Sequence, residues 1–238
     1  MSVRPRTPRL TQRRTPPESA EITTRNANGQ TCSVIDPRFV YLAAALSVVG
    51  AYGYIRDTRR GITSPNRVTW SLWGVEGVLA FSVEIQQHVG LAALMTLMLG
   101  LVPCAVVVAS FRNPSGVWKL GAFDAVCGAV SVGGLIFWVF INEPTVALAT
   151  FVVADQMAAL PTIRKSWLAP STESPRLFFL GSANCAITLL TLTKLTTAGA
   201  LFPGCILVAD LIVGLLIVSN VGPRVRGENY GVTNPKMA

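Results

Sequence analysis

Charge is what this sequence has least of. Of its 238 residues 13% are charged and 51% hydrophobic, whereas an ordinary soluble domain carries about a quarter charged residues. That shortage excludes a domain wetted on all sides. Histidine is scarcer still: His88 stands alone, in the short turn between the second and third apolar runs, so one chain cannot assemble a histidine metal cluster or a histidine-based triad. The plain reading of His88 is an interfacial loop residue. Of the five cysteines, Cys104, Cys127, Cys185 and Cys205 sit inside apolar runs and Cys32 is alone in the tail, which leaves no disulfide framework and no CxxC metal site. HExxH, GxSxG and phosphate-cradling glycine loops are missing too. The sequence therefore implies no enzyme, no cofactor, no metal and no nucleic-acid partner. A retinal protein is disfavoured because the seventh apolar run holds no lysine; Lys194 closes the sixth.

What the chain has is length of apolar run. Stretches of roughly 17 to 24 residues suffice to cross a hydrocarbon layer of about 30 Å as helices. Seven can be counted, near 39–55, 68–85, 89–110, 121–141, 145–163, 176–194 and 198–219. In lipid a chain must satisfy its own backbone groups, which makes each run a helix. The second and fifth are interrupted by Glu76, Glu84 and Asp155, so a six-span count stays open. The expected fold class is all-α: a polytopic membrane helix bundle of seven transmembrane helices in a multi-pass protein of the plasma membrane, with the lipid bilayer as first partner.

Residues 1–38 are polar and rich in arginine, proline, serine and threonine, the composition of a disordered tail. A secretory signal is not expected, since the first apolar run begins late and is long enough to span. Loop charge sets the orientation. Arg56, Arg59, Arg60 and Arg67 follow the first run, Arg112 and Lys119 the third, and Arg164, Lys165 and Arg176 the fifth, while Arg224, Arg226 and Lys236 lie in the C-terminal tail. The turns after the second and fourth runs carry no lysine or arginine, and that after the sixth only Lys194. The positive-inside rule puts the basic loops and the C-terminus in the cytoplasm and the N-terminus outside. The basic N-terminal tail argues the other way, but of its arginines only Arg25 and Arg38 fall within the ~20 residues that count most.

An internal duplication emerges at an offset of 108 residues. Gly53-Tyr54-Ile55-Arg56-Asp57-Thr58 at the end of the first run matches Pro161-Thr162-Ile163-Arg164-Lys165-Ser166 at the end of the fifth. Each is followed by a basic loop with a Ser-Pro (Ser64-Pro65, Ser174-Pro175) and an aromatic helix start, Trp70 and Trp73 in one copy, Phe178 and Phe179 in the other. The same offset pairs Glu76 with Asn184. The plan is a disordered tail over 1–38, a first three-helix repeat over 39–111, a linker helix region over 112–143, a second three-helix repeat over 144–220 and a cytoplasmic tail over 221–238. One extra crossing between two triplets makes them parallel, related by an axis along the membrane normal.

In plan and in these helix-end loops the chain resembles the PQ-loop superfamily of SWEET-like membrane transporters, over about residues 39–220. The family's Pro-Gln pair is matched by Pro161-Thr162 in the second copy and by Gly53-Tyr54 in the first. The third helix of each repeat has no clear counterpart of the Asn and Trp residues that line SWEET pockets, so no substrate is carried over. The segments YIRDTRRGITSPNRVTWSLW and DQMAALPTIRKSWLAPSTESP look more like an uncharacterised bacterial branch than a sugar carrier.

A carboxylate at mid-bilayer costs at least ~2.5 kcal/mol and usually faces the bundle interior. Glu76, Asp155 and Asp210 meet that description, and their plainer role is to hold helices together. Glu84 lies near a helix end, where reaching the interface is easy. Pro161 removes a backbone hydrogen bond six residues after Asp155, a hinge beside an acid, with Gly53 as the softer equivalent. Pro103 and Pro203 act similarly, though proline is common in membrane helices. Trp73 and Glu76 are three apart and share a helix face; Trp70 and Trp73 read either as ring-stacking residues or as interfacial anchors. The leading expectation is a passive or proton-coupled carrier for a small polar solute, with Glu76, Asp155, Asn184, Asp210 and Trp73 on its path and Gly53, Tyr54, Pro161 and Thr162 at its hinges. The rival is a non-transporting receptor or assembly factor on the same scaffold. A homo-oligomer is left open.

Overall fold

The computed structural model describes residues 33–86, 93–112, 118–192 and 197–227. Cys32, His88, Lys194, the side chain of Glu84 and both polar tails beyond these limits lie outside the described residues. The apolar runs are helices: α1 (Phe39–Arg59), α2 (Arg67–Gln86), α3 (Ala93–Ser110), α4 (Ala122–Phe140), α5 (Pro144–Leu168), α6 (Pro175–Thr191) and α7 (Thr197–Ser219), followed by a short α8 (Val221–Val225). A single 3-10 turn, Pro170–Thr172, lies between α5 and α6.

Among the described residues, five helices are long and apolar enough to cross a membrane: α1, α3, α4, Val146–Leu168 of α5 and Gly199–Ser219 of α7. The chain is a multi-pass helical membrane bundle. Asp155 does not disqualify α5. Helices α2 and α6 lie outside that set, α6 being 17 residues long.

Burial runs opposite to that of a water-soluble domain. Leu42, Val49 and Tyr52 on α1, Val126, Ile136 and Phe137 on α4, and Leu215 and Val218 on α7 are exposed, while Asn66, Glu76, Asp124, Asp155, Lys165 and Asn184 are buried. Lipid is as apolar as leucine, so aliphatic side chains lose nothing by facing it and ionisable ones turn inward.

Neighbour relations follow a simple pattern. Helix α3 packs against both α1 and α2, and α7 against both α5 and α6; between these groups α1 meets α6 and α2 meets α5. Helix α4 lies on α5 and α2. Gly77 and Gly100 let the α2 and α3 backbones touch: a Cβ on Gly77 would strike the Gly100 backbone, and one on Gly100 would come within 2.8 Å of the Val78 nitrogen. Small residues permit such close approach between membrane helices. Pro103, Pro161 and Pro203 are each accommodated inside a continuous helix.

The end of the bundle that carries the basic loops is tied by polar side chains. Asn66 caps α2, its Oδ1 accepting from the Val68 and Thr69 N–H groups at 3.1 and 3.4 Å. Its Nδ2 donates to Asp124 Oδ1 at 2.6 Å, and Asp124 Oδ2 accepts from the Gly121 N–H at 2.7 Å. One amide thus joins the loop after α1 to the start of α4, Asn66 satisfying helix-end donors of α2 and Asp124 the N–H of Gly121. Arg226, beyond α8, donates to the carbonyls of Trp167 and Leu168 at 3.2 and 2.8 Å, closing the last turn of α5.

Candidate functional site

Between these helix groups lies a cavity of about 90 Å³. It is walled by six helices: Ser47 from α1; Trp70, Trp73, Glu76 and Gly77 from α2; Met98, Leu99, Val102 and Pro103 from α3; Asp155 and Ala159 from α5; Leu177, Phe178, Gly181 and Asn184 from α6; Phe202, Ile206, Ala209 and Asp210 from α7. Trp73, Glu76, Asp155, Asn184 and Asp210, singled out by type and spacing in four different helices, therefore line one space. Among the described residues no lysine, arginine or histidine lines it.

Helical geometry aims these groups. On α2, Trp70, Trp73, Glu76 and Gly77 recur at the three- and four-residue steps that share a face, and on α6 Leu177, Phe178, Gly181 and Asn184 do the same. Glu76 is 1% exposed; its Oε1 accepts from Ser131 Oγ at 3.0 Å, and its Oε2 is buried with no hydrogen-bond partner. Asp155 is buried beside it, close enough for each acid to feel the other's charge, and accepts at Oδ2 from Gln156 Nε2 at 2.8 Å. Asp210 feels Asp155 as well, and Gly181 makes room for it, since a Cβ there would collide with Asp210 Oδ2. Asn184 donates from Nδ2 to Ser47 Oγ at 2.5 Å and accepts at Oδ1 from Thr188 Oγ1 at 3.4 Å.

Trp70 is buried inside the bundle and Trp73 is half-buried beside it. Trp70 is 2% exposed because it is packed between Tyr54, with ring centroids 4.9 Å apart, and Phe178, at 6.4 Å; Trp73 stands edge-on to it at 5.4 Å. Together with Val106, Leu177, Val213 and Ile217 these rings form the main apolar cluster. It lies toward the basic-loop ends of the helices and closes the cavity on that side.

Behind the cluster is a buried ion pair that sequence reasoning missed. Lys165 is completely buried, and its Nζ donates to Glu173 Oε1 at 2.6 Å and to the Ser64 carbonyl. Tyr54 donates from its hydroxyl to Glu173 Oε2 at 2.6 Å, and the Ser64 N–H donates to the Thr172 carbonyl at 2.9 Å. The sequence counts Lys165 among the solvated loop cations, next to Arg164, but the 3-10 turn folds Glu173 back over the end of α5 and takes it out of solvent. No spacing rule joins Lys165 to a loop glutamate eight residues on. Ser47 and Ser131 were equally illegible, because a lone serine in an apolar run carries no partner in its own segment.

Of the hinge residues, Tyr54 and Thr162 are buried at this closed end, and Thr162 Oγ1 has no hydrogen-bond partner. Pro161 is buried within α5. Gly53 is partly buried with open space around it, so nothing there requires a glycine. Among the described residues no cluster of histidine, cysteine, aspartate and glutamate is arranged to hold a metal ion.

No family model matches the chain, and no curated protein or solved structure matches it either. Function is therefore argued from the cavity.

Proposed function

We propose that the chain is a seven-crossing carrier for a small polar solute, built from two parallel three-helix repeats, α1–α3 and α5–α7, joined by α4. The observation that carries this reading is the composition of the cavity wall. Six pairs of lining residues stand 108 positions apart: Ser47 and Asp155, Trp70 and Phe178, Trp73 and Gly181, Glu76 and Asn184, Met98 and Ile206, Val102 and Asp210. The helix neighbours obey the same exchange, since α1·α3, α2·α3 and α1·α6 become α5·α7, α6·α7 and α5·α2. A duplicated triplet with its cleft on the pseudo-symmetry axis is a recurrent transporter plan, in which one repeat rocks against the other around a site near mid-membrane. The resemblance to the PQ-loop superfamily is in keeping with this plan.

Alternating access needs a breakable seal. At the basic-loop end, the bonds from Tyr54 to Glu173, from Lys165 to the Ser64 carbonyl and from Ser64 to Thr172 all join the first repeat to the segment around α5 and α6. Breaking them as a set would free the two triplets to part on that side, which the positive-inside rule assigns to the cytoplasm. Glu76 and Asp155 are the groups through which protons would couple to the cycle, since protonatable residues inside membrane bundles are characteristic of proton pathways.

Reconstituted vesicles test the reading. Solute-dependent uptake or proton movement is expected from the wild type and is lost in Asp155→Asn. Vesicles that hold folded protein and move neither solute nor protons would overturn it in favour of a receptor or assembly role on the same scaffold.

A further inference from the structure

The cavity's charge is one-sided. Glu76, Asp155 and Asp210 line it, and among the described residues no lysine, arginine or histidine lines it to balance them. The nearest buried cation, Lys165, is spent on Glu173 beyond the aromatic cluster. Acidic groups drawn together out of water are costly unless a positive charge or protons meet them.

Three further features narrow what could supply that charge. Glu76 Oε2 is fully buried, belongs to a residue lining the cavity and accepts from no N–H or hydroxyl donor, its ionisable neighbour being the Asp155 carboxyl. Trp70, Trp73 and Phe178 are among the lining residues, the two indoles standing edge to face with centroids 5.4 Å apart. An indole face attracts a desolvated ammonium group more strongly than any other side-chain ring does. The volume, about 90 Å³, admits only a handful of non-hydrogen atoms. A metal cation would want several oxygen ligands in a closed shell, and most of this wall is aromatic or aliphatic.

From these observations we infer that the cavity binds a small organic ammonium ion, with Glu76 and Asp155 answering its charge and Trp70, Trp73 and Phe178 packing against its carbon substituents. The inference rests on the carrier reading for the purpose of the site, but its binding chemistry stands on the cavity alone. The same wall rejects anions, since a carboxylate solute would meet like charge with no donor cation to hold it.

Three near-isosteric probes separate charge from shape: tetramethylammonium, tert-butanol and trimethylacetate. Each is titrated into the purified full-length protein while thermal unfolding and tryptophan fluorescence are followed. A ligand that binds only the folded form raises its apparent stability in proportion to occupancy. Tetramethylammonium should raise the unfolding temperature and change the fluorescence saturably, and the neutral and anionic probes should do neither. Glu76→Gln and Asp155→Asn should each weaken that response at least about tenfold, the usual consequence of removing one side of a buried charge contact. Equal responses to the cation and tert-butanol, or no response to the cation from folded wild-type protein, overturn the inference and leave the acids as protonated structural groups. This comparison needs only the wild type, so it stands even where a variant fails to fold. Binding of tetramethylammonium by a protein whose vesicles transport nothing would sink the carrier reading and keep the ammonium site. Uptake of a neutral solute without ammonium binding would do the reverse.

Discussion

Asn184 on α6 donates to Ser47 on α1 at 2.5 Å, and the positions 108 residues away from each, Glu76 on α2 and Asp155 on α5, lie side by side as two acids. Both pairs bridge the same two groups of helices. One is neutral and hydrogen-bonded, while the other is ionisable and has at Glu76 an oxygen that meets no N–H or hydroxyl donor. The two pairs thus differ in chemistry: one is a neutral hydrogen bond, the other two neighbouring carboxyls.

The clamp has a measurable coupling. In bilayer-like micelles Asn184→Ala and Ser47→Ala should each lower unfolding stability, and the double variant should lose less than the sum, with a coupling of about 0.5–1.5 kcal/mol, the range for interhelical hydrogen bonds in membranes. Simple additivity would show that the 2.5 Å contact contributes nothing.

The Lys165–Glu173 pair is fully buried on both sides. Removing one partner strands a charge away from water, so Lys165→Met should cost about 3–5 kcal/mol, whereas replacing both by apolar residues should recover much of the loss. Denaturant titration of Lys165→Met beside Lys165→Met with Glu173→Leu gives the comparison. If the double variant is the weaker of the two, Glu173 stabilises the fold even without Lys165, through the hydrogen bond it accepts from Tyr54.

Two glycines should respond with opposite signs. Gly53 has open space where a Cβ would go, so Gly53→Ala should be neutral or stabilise α1 by about 0.5–1 kcal/mol. Gly77 faces the backbone of Gly100, and Gly77→Val should push α2 from α3 and cost about 1–3 kcal/mol or more. Thermal unfolding of both variants, measured in parallel, decides whether the α2–α3 contact is as close as described.

Orientation is testable by labelling. With the native cysteines replaced, a cysteine at Arg60, in the loop after α1, should react with an impermeant maleimide only from the cytoplasmic side. One at Asn142, in the exposed turn after α4, should react only from outside. Labelling of both from the same side would remove the parity on which seven crossings depend.

By itself the sequence determined that this protein lives in a membrane and is made of helices, because a backbone in lipid has no other way to satisfy its hydrogen bonds once the apolar runs are long enough. It also marked which residues could not face lipid: Glu76, Asp155, Asn184 and Asp210 are expensive there, and a short step of reasoning sends them inward. What lies around them was decided only in three dimensions. That Glu76 meets Ser131, that Asn184 meets Ser47 and that Lys165 is swallowed by Glu173 all depend on which helix lies beside which. Periodicity within a segment tells which face is turned inward; it carries no label for the segment that will meet that face, and a lone serine or a loop glutamate looks the same whether it is wet or buried.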